Sequence, residues 1–199
     1  MSFLEPLSDE GIPADILERF AHYKNTRGFT PNSIKTMVRR PNIVRAFMQL
    51  NQAVLYEGTV SEELKMLISL ISSQVAGCRY CQAHMANLSK IYEASEEKIS
   101  QVWNYANSDL FDESEKAALD IAYHGAMSPS QAKEDHFEAL SQHFNESEIV
   151  EIVATISLFG FLNRWNDTIA TELEELPEKV AQSTIKDTFG WDRGKHEQG

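Results

Sequence analysis

Apolar side chains recur along this chain at intervals of three and four residues, the spacing of one face of an α-helix. The clearest such face is formed by Leu64, Leu67, Ile68 and Ile71. No segment alternates apolar and polar residues over the length of a β-strand. The pattern therefore predicts an all-α protein.

Prolines, glycines and capping residues divide this pattern into separate helices. No repeat or long flexible linker interrupts them, so residues 1–199 are predicted to form a single domain with its core at about 13–176. An acidic run near the carboxy terminus is interpreted as a solvated helix end; it comprises Glu172, Glu174, Glu175 and Glu178. The expected helices cover about 13–24, 31–39, 41–56, a segment capped by Thr59 or Ser61 and ending near 77, 78–92, a segment from 95, 114–127, 128–144, 145–175 and a segment from 177.

Charge and composition exclude several classes of function. Apolar residues make up 42% of the chain, and 18 Lys and Arg against 30 Asp and Glu give a net charge of −12. Nucleic acids and anionic lipid surfaces require a basic face, so neither is an expected partner. The amino-terminal MSFLEPLSDEG has no positive patch followed by an apolar stretch, and no apolar run is long enough to cross a bilayer. We therefore expect a cytoplasmic protein.

The two cysteines, Cys78 and Cys81, form one CxxC pair. A bridge across so short a loop constrains the unfolded chain little, so it would stabilise the fold poorly. In a reducing compartment such a pair cycles between dithiol and disulfide, or it binds a metal. A metal site needs about four ligands, and only these cysteines and His84 lie together in the sequence. We therefore predict redox chemistry without a metal.

The local sequence suggests how a thiol could be activated. Both cysteines follow Gly77 at a predicted helix start, where backbone N–H groups and the helix dipole favour a thiolate. His84 lies three residues after Cys81 and could take its proton, after which Cys78 could attack the oxidised sulfur. Alternatively, His84 is a surface histidine beside a helix start, and the sequence leaves both interpretations open. Tyr80 is expected to be a packing residue, and a proton-donating hydroxyl is the alternative.

The segment GCRYCQAH, residues 77–84, resembles the active-site segment of the carboxymuconolactone decarboxylase-like superfamily, in its alkylhydroperoxidase D-like branch. FLNRWNDTIATELEELP at 161–177 resembles a carboxy-terminal signature of one subgroup, and PNSIKTMVRRPNIVRAF at 31–47 also fits. The resemblance implies an alkylhydroperoxidase D-like helical bundle that assembles as trimers or hexamers. It also implies a thiol-dependent peroxidase or disulfide reductase, supplied with electrons by a protein dithiol and using no cofactor. Carried over by position, Cys81 is the peroxidatic nucleophile and Cys78 the resolving thiol.

Two positions depart from the family pattern. The better-studied members carry a Glu twelve residues before the first cysteine and a His four residues after the second, which together relay the nucleophile's proton. This chain has Met66 and Met85 there. Cys81 would then depend on the helix start and on His84, so its attack on a peroxide would be slow.

The main functional hypothesis is an antioxidant thiol oxidoreductase that reduces hydroperoxides or disulfides. A lactone decarboxylase would need an acid or base and a carboxylate-binding arginine such as Arg164, and it has no use for a CxxC pair. A non-catalytic helical oligomer with a redox-sensing CxxC is the third hypothesis. The polar cluster 163–167 inside the last long apolar helix would either bond neighbouring helices together or line the thiol pocket.

Overall fold

The computed structural model describes residues 2–197, and the regular secondary structure of this part is entirely helical, with turns between the helices and no strand. This confirms the predicted all-α class. No helix within residues 2–197 has the length and apolar character needed to span a bilayer. The helices are α1 (Ala14–Arg27), α2 (Asn32–Met37), α3 (Pro41–Leu55), α4 (Glu62–Ala76), α5 (Arg79–Ile91), α6 (Glu96–Gln101), a 3₁₀ helix (Val102–Asn107), α7 (Glu113–Gly125), α8 (Glu134–Ser141), α9 (Glu146–Ile169), α10 (Glu175–Thr184) and α11 (Lys186–Phe189).

Helix α4 is the centre of the bundle and packs against α5, α7 and α9. Ser61 caps its start by accepting a hydrogen bond from the N–H of Leu64, and the residues from Leu64 to Ser73 are all buried. The serines inside this buried stretch donate to backbone carbonyls four residues earlier, for example Ser69 to Lys65 at 2.6 Å. Their hydroxyl groups are thus satisfied, and a partly polar helix can lie in an apolar core.

The junction between α4 and α5 places the CxxC pair. Gly77 ends α4 with a φ of 74°, a left-handed conformation that favours glycine. The N–H of Cys78 then bonds to the carbonyl of Ser73 at 3.2 Å, and Cys78 becomes the N-cap of α5. The predicted helix start after Gly77 is therefore present.

Two predicted helix boundaries are wrong. The helix expected over 128–144 begins only at Glu134, because the N–H of Gln131 bonds back to the carbonyl of His124 and holds residues 128–133 in a turn. The helix expected over 145–175 ends at Ile169. Ala170 is left-handed there, and the N–H of Thr171 bonds to the carbonyl of Asn166, so the chain leaves the helix direction.

Residues after 176, the predicted end of the core, also contribute buried side chains. Ala181, Ile185 and Trp191 belong to the same apolar cluster as the central helices. The indole N–H of Trp191 donates to the carbonyl of Arg79 at 3.1 Å and so fastens the carboxy-terminal segment to the first residue of α5. As a result, His196 lies beside the CxxC pair.

Candidate functional site

Both sulfurs lie inside the protein at the start of α5. Cys78 is 0% exposed and Cys81 is 2% exposed, and the pair is in the dithiol form. Each thiol shifts the pKa of the other, lowering that of Cys78 and raising that of Cys81, so the two sulfurs are close neighbours. One proton can therefore be shared between the two sulfurs.

Cys78 carries the negative charge of this pair. Burial alone raises the pKa of Cys78, but hydrogen bonds from the Cys81 thiol, from His196 and from the backbone N–H of Cys81 outweigh burial and lower this pKa to about 6. The N–H contribution follows from the N-cap position, where a helix presents unpaired donors. The sequence predicts that the helix start favours a thiolate, and in the structure the helix start does so at Cys78.

Cys81 is the protonated partner. Burial and the neighbouring Cys78 sulfur raise the pKa of Cys81 well above its ordinary value. The side-chain amide of Asn166 opposes this by donating a hydrogen bond to Sγ of Cys81 at 3.3 Å. Asn166 is itself fixed, because its Oδ1 accepts a bond from the hydroxyl of Thr171 at 2.9 Å.

His196 is the imidazole that acts on the thiol pair. It is 0% exposed, and its Nδ1 lies 2.8 Å from the carbonyl of Thr171. A carbonyl oxygen only accepts, so Nδ1 carries a proton. Nε2 donates to the Cys78 thiolate when it also carries a proton, and it accepts the proton of the Cys78 thiol when it does not. Nε2 makes no hydrogen bond to a nitrogen or oxygen atom within residues 2–197, and the ring lowers the pKa of Cys78. It is therefore available to exchange a proton with that sulfur.

His84 is buried, at 6% exposure, so its interpretation as a surface histidine is wrong. Its Nε2 bonds to a carboxylate oxygen of Glu174 at 2.7 Å, and its ring stacks on Tyr80 with a centroid distance of 4.2 Å. The hydroxyl of Tyr80 donates to the other oxygen of Glu174 at 3.1 Å. His84 thus belongs to a buried polar network centred on Glu174.

The interpretation of the acidic run as a solvated helix end is wrong for two of its members. The side chain of Glu174 is only 13% exposed, because the turn after α9 directs it toward His84 and Tyr80. Glu178 is 8% exposed and pairs with Arg193. Burial and the nearby charge of Glu174 also raise the pKa of Tyr80 well above its ordinary value, so that phenol stays protonated.

A cavity of about 40 Å³ adjoins the thiols. Cys81 and His84 line it together with Tyr80, whereas Cys78 does not reach it. The remaining walls are mostly aromatic and aliphatic, with Phe47 and Phe159 among them. A small molecule in this cavity would therefore meet the sulfur of Cys81 first.

The polar cluster 163–167 serves both of the uses considered from the sequence. Asn166 bonds Cys81, as described, whereas Asn163 bonds the carbonyl of Ser72 and Trp165 bonds the hydroxyl of Thr36 across helix contacts. Arg164 is exposed and lines a different cleft, between α9 and the turn at 126–131.

In the structure, apolar side chains occupy the two positions where better-studied family members have the relay Glu and His. Met66 is fully buried, and Met85 lines the cavity beside Cys81. Glu63, one turn before Met66, bonds to Lys98 at 2.9 Å. The sequence does not reveal Glu174 or His196 as site residues. Each lies 90 residues or more along the chain from the residue that it acts on, His84 for Glu174 and Cys78 for His196.

A second cluster of titratable groups lies between α7 and α8. Nε2 of His136 is 3.5 Å from Asp120, and Nδ1 of His124 bonds to the Asp120 carbonyl at 2.9 Å. The three side chains could together face a cation. However, Nδ1 of His136 accepts the N–H of Lys133 at 2.9 Å, which leaves its proton on Nε2. Nε2 is then a donor to Asp120, so this cluster fits a hydrogen-bonded histidine pair better than a metal site.

Comparison with known proteins identifies several that are similar to this chain. The profile of the carboxymuconolactone decarboxylase family matches residues 41–124, which include the CxxC pair. The chain is 31% identical to the debrominase Bmp8 in its apo structure, with 91% of this chain and 97% of that one covered and a TM-score of 0.84. It is 30% identical, with a TM-score of 0.85, to a cysteine-to-alanine variant of the same enzyme in complex with 2,3,4-tribromopyrrole, over 92% and 98% of the two chains.

A more distant solved structure has the same fold, and a curated protein is similar over part of the sequence. A peroxidase-related protein from Ralstonia eutropha JMP134, with an alkylhydroperoxidase AhpD core, is 24% identical over 92% of this chain and 97% of its own, with a TM-score of 0.77. The protein YdfG of Bacillus subtilis is 27% identical over 112 residues, which is 55% of this chain and 74% of YdfG.

Proposed function

The chain belongs to the carboxymuconolactone decarboxylase family, with an alkylhydroperoxidase D-like fold, and on this basis we propose that it is a thiol-dependent oxidoreductase. Its CxxC pair would reduce hydroperoxides or disulfides and become a disulfide. The observation that carries the proposal is that the two sulfurs differ: Cys81 lines the cavity, whereas buried Cys78 has the lowered pKa and carries the negative charge.

In the first step the thiolate of Cys78 takes the proton of Cys81 while the sulfur of Cys81 attacks the terminal oxygen of the hydroperoxide. The O–O bond breaks, the departing oxygen leaves as an alcohol after taking a proton, and Cys81 becomes a sulfenic acid. The shared proton between the sulfurs makes this transfer short. Cys78 thus does for Cys81 what the absent glutamate and histidine do in the better-studied members.

In the second step Cys78 gives up a proton to Nε2 of His196 and attacks the sulfur of the Cys81 sulfenic acid. Hydroxide leaves and takes a proton to become water, and the disulfide closes. Overall, a hydroperoxide, the Cys81 thiol, the Cys78 thiolate and one proton from solvent yield an alcohol, water and one disulfide; the proton held by His196 goes to the departing hydroxide. Asn166 orients the Cys81 sulfur throughout, and His84 with Glu174 forms the polar wall of the cavity.

A protein dithiol is the proposed electron donor, because the disulfide must be reduced in each cycle and a dithiol does so by thiol–disulfide exchange. The proposed assembly is a homo-oligomer, a trimer or a hexamer. It is supported by an exposed apolar face on α3 and α9 that includes Ile43, Leu50 and Phe161. Proteins expose such faces mainly where they contact other chains.

Reductive dehalogenation is a second candidate, favoured by the debrominase relatives at 30–31% identity. The sulfur of Cys81 would attack the halogen, forming an S–halogen bond as the bond from the halogen to the aromatic carbon breaks. That carbon would keep the electron pair and take a proton. Cys78 would then attack the Cys81 sulfur and release halide. An aryl halide and two thiols would yield the arene, a hydrogen halide and one disulfide.

The experiment is a one-turnover reaction of the reduced protein with one equivalent of cumene hydroperoxide, followed by peptide mass spectrometry. We expect loss of both thiols and a disulfide between Cys78 and Cys81. In Cys78→Ser, a sulfenic acid should form on Cys81 more slowly, because the base is lost, and it should be trapped there because no resolving thiol remains. Cys81→Ser should leave the peroxide intact. Oxidation in one turnover with no reaction in later cycles, given a dithiol donor, would instead indicate a redox sensor.

A further inference from the structure

A second, outer cleft of about 250 Å³ adjoins the cavity at Cys81. The two spaces share the side chains of Tyr23, Arg27 and Asn51, so the outer cleft lies on a short route from the surface to the thiol. Tyr56 and Tyr92 form its other aromatic walls, with their ring centroids 5.8 Å apart.

The inner and outer spaces differ in what they can hold. A dry cavity of roughly 150 Å³ accommodates a benzene ring. The inner cavity, at about 40 Å³, is too small for a ring but has room for a peroxide group or one substituent. The outer cleft is large enough for a single ring. A ring in the outer cleft could therefore extend a reactive substituent toward Cys81.

Arg27 supplies a positive charge at the boundary between the two spaces. Its guanidinium lies 4.8 Å from the centre of the Tyr23 ring, and Nη2 donates to the hydroxyl of Tyr56. No carboxylate pairs with Arg27 or with Arg19, the other arginine of the cleft, within residues 2–197. In a chain of net charge −12, this cleft has two arginines and no carboxylate among its lining residues. Most donors of the Arg27 fork are left for a ligand.

We propose that this cleft binds small aromatic anions, carboxylates or phenolates, with the ring between the tyrosines and the negative charge on Arg27. The proposal rests on the proposed function and names the substrate class of that same site. Guanidinium groups bind carboxylates through two parallel hydrogen bonds, and tyrosine rings stack on other rings. The reactive group of such a substrate then lies in the inner cavity at Cys81.

Calorimetric titration of full-length Cys81→Ser tests this without turnover, with 3-chlorobenzoate and its uncharged isostere 3-chlorobenzamide as probes. We expect the benzoate to bind about tenfold more tightly than the benzamide, as one charge-assisted hydrogen bond predicts. Adding Arg27→Gln should abolish this preference. Adding Arg164→Gln should leave it unchanged, since that arginine is exposed on a different cleft.

Equal affinity for the two probes, absence of binding, or a preference that survives Arg27→Gln would overturn the proposal. If Arg27→Gln fails to fold, Arg27→Lys keeps the charge and loses the fork, and it should reduce the preference at least threefold. An unchanged preference there would also overturn it. Peroxide turnover separates the two claims: if the reduced wild type forms its disulfide with cumene hydroperoxide and shows no benzoate preference, the proposed function stands and this inference fails.

Discussion

The side-chain amide of Asn166 donates a hydrogen bond of 3.3 Å to the sulfur of Cys81, linking the long helix α9 to the first turn of α5. The same amide accepts a bond from Thr171, in the turn that ends α9. The position of the reactive sulfur thus depends on where α9 stops. The carbonyl of Thr171 in the same turn also orients His196. This short segment therefore positions both Asn166, which bonds Cys81, and His196, which acts on Cys78.

Replacing Asn166 should slow the chemistry of Cys81. In Asn166→Ala the sulfur of Cys81 loses the donor that stabilises it as it becomes negatively charged during attack, and a hydrogen bond to a charged group contributes about 1.5–3 kcal/mol. We expect the rate constant for peroxide oxidation to fall at least tenfold, measured by stopped-flow fluorescence. The matched control is Asn163→Ala, which removes a buried amide one turn earlier on α9 that bonds to Ser72 rather than to a sulfur. Equal slowing by both variants would contradict a specific effect on Cys81.

The carboxylate of Glu174 should contribute more to the free energy of unfolding than that of the adjacent Glu175. It accepts bonds from Tyr80 and Asn32 and meets His84 at 2.7 Å. Because Glu174→Gln weakens these buried contacts, we expect a loss of about 2–3 kcal/mol in the free energy of unfolding, measured by urea titration. Glu175→Gln, on an exposed residue that pairs with Lys179, should cost less than about 0.5 kcal/mol. Similar losses in the two variants would show that the Glu174 network contributes little.

These residues also mark where sequence reasoning succeeds and where it fails. The start of α5 was predictable because glycine at 77 ends a helix locally and the CxxC pair follows directly. The contact between Glu174 and His84 was not predictable, because it depends on a tertiary turn between α9 and α10. The acidic residues there have the composition of a solvated helix end, and local composition does not reveal which one points inward. His196 follows no motif at all, and it reaches Cys78 only because the carboxy-terminal segment folds back.

The lowered pKa of Cys78 should make the stability of the reduced protein depend on pH. A group whose pKa is depressed on folding stabilises the fold above its unfolded value, and this stabilisation is lost as pH falls through the folded value. The unfolding free energy of the wild type, relative to Cys78→Ser, should therefore rise between pH 6 and pH 9. The slope should reach at most about 1.4 kcal/mol per pH unit. Urea titrations with reductant measure it, and parallel pH profiles for the two proteins would contradict the expectation.

The central claim is that Cys78 is a thiolate at neutral pH and that His196 stabilises it. The most direct measurement is a thiolate titration of the reduced protein by ultraviolet absorbance, compared with His196→Gln and with the exposed control His143→Gln. We expect one thiolate with a midpoint at about pH 6 in the wild type and the control. In His196→Gln the midpoint should move up by about one pH unit. A wild-type midpoint near that of a free thiol, or a midpoint unmoved by His196→Gln, would contradict the claim.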